Sequence, residues 1–288
     1  MRKKYRFVSF FLLIIVLLLP CCMKFALKLS PSLIPDMAST VFEECDPMLA
    51  ETSIPANLKM LEALLKSDPE NKEVLTSLSM GFCGYAMLFV ESDSPERASV
   101  LYLRAGDYGL RALNHKLGSI YDADIEKMQT SLKNSGKSDI DALLWTTISL
   151  NSWINLNLDE PAALSRLGIA QDFIEKLIEI DPNYQYGIPY IMMGVSLSFR
   201  PPMLGGDPEK AKDNFETALE LSGRKFFLAH YYYARYYATR IQDIDLFYSL
   251  LDEIIQGDSG GIRDMCLINS VIQDKAKELK EEAEELFF

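Results

Sequence analysis

The stretch that decides the fold is Tyr190–Gly223, YIMMGVSLSFRPPMLGGDPEKAKDNFETALELSG. Its first third is apolar with small residues at helical spacing: Tyr190, Met193, Gly194 and Leu197 recur at intervals of three, one and three. A proline- and glycine-rich break, 201–206, interrupts it. Asp207-Pro208 then offers a capping side chain and a proline suited to a first helical turn. A second helical pattern follows, in which Ala211, Phe215, Ala218 and Gly223 are spaced four, three and five apart. The reading is two helices joined by a stiff turn, with small residues where they touch and large ones filling the grooves between them.

The same grammar recurs upstream. Trp145, Ile148, Ser149 and Ser152 repeat the first-helix spacing, as do Leu75, Leu78, Ser79 and Phe82. Ala170, Ile174, Leu177 and Pro182 repeat the second-helix spacing in full, and Ala98, Tyr102 and Ala105 its first three positions. These are the packing positions of tetratricopeptide helix pairs, units of 34 residues that bury their faces only by stacking. Here the turns are longer than standard. The expected fold is all-α: an α-solenoid of cryptic tetratricopeptide-like pairs over about 72–115, 139–180, 184–222 and, in degenerate form, 226–257. An extra helix is expected near 120–134, with capping helices near 46–66 and 261–285. Alternation typical of strands is absent.

Residues 1–22, MRKKYRFVSFFLLIIVLLLPCC, form a basic segment, a run from Phe7 to Leu19 that is apolar but for Ser9, and a cysteine pair. That is the layout of a lipoprotein signal, and the run is too short for a membrane span. Cys22 is favoured as the lipidated residue, with Leu19 at −3 and Cys21 at −1; Cys21 is the alternative, with Pro20 before it. The expected organisation is a leader at 1–22, a tether at 23–45 and one helical-repeat domain at 46–288. The protein would sit in the periplasm, held to the inner or outer membrane through its lipid only.

The leader holds four of the 29 basic residues and none of the 41 acidic ones, so the remainder carries 25 against 41, a net charge near −16. Such a surface repels phosphate backbones and excludes nucleic acid as a partner. Cys45, Cys83 and Cys266 match neither a metal pattern nor a CxxC pair. Cys83, within GFCGYA, reads as a packing residue. A single disulfide is compatible with export, and the spacing does not select its members. The two histidines, His115 and His230, lie in unrelated contexts, and no nucleophile, phosphate-loop or metal motif accompanies them. The chain reads as a non-enzyme with no cofactor and no metal site.

Two segments could contact a ligand. The loop holding Pro202, Met203, Leu204, Gly205 and Gly206 would make a rigid cleft rim. The helix FFLAHYYYARYYATR, 226–240, is aromatic on several faces: Phe226, His230, Tyr233 and Tyr237 share one, Phe227 and Tyr231 a second, Tyr232 and Tyr236 a third. The first two faces, Phe226, Phe227, His230, Tyr231, Tyr233 and Tyr237, are taken as the pore-lining candidates, since tyrosine gives a wall both apolar body and polar tip. Arg104 and Arg111 read as helical-surface charges.

TVFEECDPMLAETSIP (40–55), LLKSDPENKEVLTSLSMGFCGYAMLFV (64–90), LYLRAGDYGLRAL (101–113) and PPMLGGDPEKAKDNFETALELS (201–222) together resemble the T-component family of tripartite ATP-independent periplasmic (TRAP) transporters. The resemblance implies a lipoprotein of tetratricopeptide-like pairs that forms a homotrimer and docks the transporter's periplasmic solute-binding protein. It also implies a hydrophobic pore or cleft in each protomer for a small hydrophobic ligand. The rival reading is a tetratricopeptide-like lipoprotein scaffold for envelope or outer-membrane assembly.

Overall fold

In the computed structural model, which describes residues 33–114 and 117–287, every regular element among the described residues is helical. The leader with Cys21 and Cys22, and His115, lie outside the described residues. The first helix, α1 (Leu33–Phe42), falls within the stretch expected to be a tether. Pro35 occupies its opening turn, where a missing N–H costs little. Ile34 is buried, and Phe42 stacks on Trp145 with ring centroids 5.9 Å apart. Helical structure is thus present ahead of Asp46.

Side-chain caps set five of the eleven helix starts that follow. Asp46 accepts from the N–H groups of Met48 and Leu49 to open α2 (Pro47–Ser67). Asn71 accepts from Val74 N–H at the start of α3 (Lys72–Phe89), and Pro95 opens α4 (Pro95–Leu113). Asp124 caps α5 (Ile125–Asn134) through Lys127 N–H. Next come α6 (Ile140–Leu156), a short turn at Pro161–Leu164, α7 (Leu167–Ile180) and α8 (Ile188–Phe199). Asp207 caps α9 (Pro208–Leu221) through Lys210 N–H. The aromatic segment, α10, is α-helical over Phe227–Tyr232, π-helical over Tyr233–Ala238 and α-helical again over Thr239–Ile241. Asp243 caps α11 (Ile244–Gln256) through Leu246 N–H, and α12 (Cys266–Glu281) closes the core. Each cap satisfies backbone donors that a helix start leaves idle.

Helices adjacent in sequence pack on one another: α3 on α4, α6 on α7, α8 on α9, α11 on α12, with α4 also against α6. The second-helix contact positions read from the sequence are buried throughout. Ala98, Tyr102, Ala105, Ala170, Ile174, Leu177, Ala211, Phe215 and Ala218 are all shielded completely from solvent. Gly194 meets the Phe215 ring so closely that an added Cβ would lie 2.9 Å from it. Arg104 pairs with Glu62 and lies 4.4 Å over the Phe82 ring, while Arg111 donates to Pro69 O.

Cys45 and Cys266 form a disulfide, their Cα atoms 5.1 Å apart and 221 residues apart in sequence. It joins the turn before α2 to the first residue of α12, and Arg263 pairs with Glu43 at 2.8 Å beside it. Cys83 is free and buried, and burial pushes its thiol up to about 12.

Candidate functional site

Two cavities lie end to end along three helices. The first, about 280 Å³, takes Met87 from the end of α3 and Glu91 just beyond it, Ile148 and Asn155 from the second half of α6, and Val195 and Phe199 from the second half of α8. The second, about 470 Å³, takes Lys72 and Thr76 from the start of α3, Asp141 and Leu144 from the start of α6, and Ile188 from the start of α8. Helices α3 and α6 give their opening residues to the second cavity and their closing stretch to the first, so these two run in the same direction; α8 lines the first cavity along its whole length and touches the second only at Ile188. Trp145, Ile188 and Ile268 line both cavities and form an apolar waist between them.

The outer ends are polar. Beyond the waist on one side stand Lys72, Asp141 and Asp264. Lys72 Nζ donates to Asp139 at 2.6 Å and to Ser138 O at 2.7 Å. Although burial alone would raise the Asp139 carboxyl, Lys72 and the Gly136 N–H hold it below its usual range. Tyr184 donates to Asp141, and Tyr186 to Asp264 at 2.9 Å. On the other side stand Glu91, Asn155, Ser196, Tyr232, Arg235 and Tyr236. Glu91 accepts from the hydroxyl of the fully buried Tyr102. Burial, then the Glu91 charge, pushes the Tyr236 phenol up to about 12 and that of Tyr232 well above its usual value, so both stay protonated donors. Such an arrangement can hold or pass a small molecule with an apolar body: fixed polar groups at each end, greasy walls between. Among the described residues no group of His, Cys, Asp and Glu side chains is arranged to hold a metal ion.

The aromatic helix faces this cavity with a side other than the expected one. Leu228, Tyr232, Arg235 and Tyr236 line it; Phe226, Phe227, His230, Tyr231, Tyr233 and Tyr237 line neither cavity. Those six are core residues. Tyr233 stacks on Phe215 at 4.9 Å and donates to Glu216 at 3.0 Å. His230 meets Glu253 at 3.2 Å, and Phe227 N–H donates to Asn269 Oδ1 at 2.9 Å. The cause is twofold. Neighbours α9, α11 and α12 claim the first two faces, and the π-helical turn from Tyr233 breaks the regular helical period. Tyr232 and Tyr236 are visible in the sequence as a pair, but a helix aromatic all round gives no reason to prefer them.

The predicted rim also stands apart. Pro202–Leu204 form one tight turn, and Met203 is 90% exposed. Gly205 takes φ +89°, and Gly206 passes so close to Arg200 O that a Cβ there would sit 1.8 Å away. None of Pro202, Met203, Leu204, Gly205 or Gly206 lines either cavity; α8 reaches the first one only as far as Phe199.

No helix among the described residues is long and apolar enough to cross a membrane. Comparison with known proteins gives two findings. The chain is 23% identical over 270 residues to an uncharacterised protein of Treponema pallidum (strain Nichols), an alignment covering 88% of this chain and 84% of that one. Residues 43–287, which contain α2 through α12 whole, match the family model described as TRAP transporter T-component. With all but its N-terminal stretch and final residue inside that match, the chain belongs to the TRAP transporter T-component family.

Proposed function

We propose that this protein is a lipid-anchored periplasmic T-component that docks the solute-binding protein of a TRAP transporter and gives a small hydrophobic ligand a sheltered path. The observation that carries the reading is the pair of end-to-end cavities with the shared waist of Trp145, Ile188 and Ile268, in a chain of this family. An apolar constriction between two polar mouths favours a molecule that can shed its water. The helix pairs α3–α4, α6–α7, α8–α9 and α10–α11 are read as a tetratricopeptide-like stack with α2 and α12 at its ends. A trimer of such stacks would offer the receptor a wide concave surface. The Cys45–Cys266 disulfide suits an oxidising envelope compartment, and Cys22 or Cys21 supplies the lipid. The role is non-enzymatic, with the energy for uptake supplied by separate membrane subunits.

The test is capture from a periplasmic extract on the mature chain, tagged at its C-terminus. Recovery of a TRAP-type solute receptor in near-equal amount is expected. Recovery of envelope-assembly proteins with no receptor would replace this reading with the scaffold.

A further inference from the structure

The outer end of the first cavity is chemically unlike its waist. Arg235 stands there, on the π-helical turn, exposed along part of its length. Its guanidinium is met by the Tyr231 hydroxyl at 3.5 Å and by Tyr236, and among the described residues no carboxylate pairs with it. A contact that long leaves the five-donor fork essentially unspent. In a chain with 41 acidic residues to 29 basic ones, an arginine without an acid beside a cavity runs against what composition favours.

Two further groups in the same wall are idle. Ser196 is 2% exposed, yet its hydroxyl has no partner. Ser198, two residues on, spends its hydroxyl on Gly194 O at 2.8 Å. A helical serine has that option as a default, so its neglect at 196 leaves a donor beside the cavity. Asn155 Oδ1 is buried and also unpartnered; turning the carboxamide over presents Nδ2 at the same place. Glu91, the carboxylate of this wall, is already taken by Tyr102. A wholly apolar occupant would leave Ser196 and Asn155 buried without partners, which is costly. A cation would meet the Arg235 charge.

We propose that the first cavity holds a small amphipathic anion, its charged head at Arg235 and Ser196 and its apolar body along Ile148, Ile191 and Val195 toward the Trp145 waist. The inference rests on the ligand path described above and adds the chemical class and orientation of the occupant. The head would spend the donors that the protein leaves idle, and the body would cover the apolar walls. Arg235 then selects the ligand rather than merely admitting anything greasy.

The experiment is titration calorimetry on the full mature chain with two probes of equal tail length, octane-1-sulfonate and octan-1-ol. The wild type is expected to bind the sulfonate about tenfold tighter than the alcohol, the return for one charge-assisted contact. Arg235→Met, which keeps an apolar stem, should erase that preference. Arg235→Lys should retain most of it. If Met at 235 weakens both probes together, the lysine variant decides: preference kept supports the proposal, preference lost overturns it. Equal affinity of the wild type for the two probes, or a preference that survives Arg235→Met, overturns the proposal while the ligand path stands. Binding of neither probe overturns both.

Discussion

Gly194 of α8 and Phe215 of α9 touch with no space for another atom: a Cβ on Gly194 would lie 2.9 Å from three atoms of the Phe215 ring. The ring has no retreat, because Tyr233 stacks on it at 4.9 Å. Gly194→Val should therefore destabilise the protein by about 1–3 kcal/mol through overpacking, seen as a lower melting temperature by circular dichroism. An unchanged melt would mean that α8 and α9 can separate freely.

The disulfide closes a 221-residue loop, so its removal should be felt globally. Replacing Cys45 and Cys266 together by alanine is expected to cost about 2–5 kcal/mol in denaturant unfolding. Reductant should lower the wild type to the same midpoint and leave the double variant where it is. Native thiol titration should detect no reactive Cys83, because burial keeps that thiol protonated.

His230 and Glu253 predict acid sensitivity. Burial holds the His230 pKa below its ordinary value, even though Glu253 pulls the other way. Hydrogen bonding from Arg224, with help from His230, holds Glu253 below the usual carboxylate range. Below about 6.5 an unfolded histidine takes up a proton that the folded one refuses. The unfolded chain then binds more protons, so stability falls as pH drops through that window. Glu253 extends the loss through and below about 4.3, where the unfolded carboxylate is protonated before the folded one. Unfolding midpoints from pH 7.5 to 4 should show this decline, and His230→Gln should flatten its upper part. An identical slope in the variant would assign the effect to other groups.

Met192 lines the first cavity, and a larger side chain there has room to enter it. Met192→Trp should leave the melting temperature within about 3 °C of the wild type, because it fills space instead of displacing neighbours. Octanol affinity by calorimetry should fall by about tenfold or more. Full retention of octanol binding would place the probe elsewhere.

The helix order was legible because its punctuation is local. Asp46, Asn71, Asp124, Asp207 and Asp243 each cap a helix with their own side chain, and such caps are short-range chemistry that a sequence displays directly. The small-and-large spacing around Gly194, Ala211 and Phe215 was equally readable, since contact between paired helices needs just those sizes. Helix α1 was hidden because its opening turn holds a proline, Pro35, and a proline signals a break in a sequence although it is harmless in a first turn. The choice of cavity-lining face on α10 was hidden for a different reason. It depends on which faces α9, α11 and α12 cover and on a π-helical turn, and neither is written in an aromatic run. The partner of Cys45 was likewise a matter of where the two ends of the chain meet.

The Cys45–Cys266 bond also sets how the molecule carries load. A pull between a point ahead of α1 and the C-terminus runs through α1, across the sulfur bridge and into α12. The whole 221-residue loop between the cysteines is bypassed and feels no tension. Such a pull loads α1 and α12, the helices outside the loop, and spares α2 through α11.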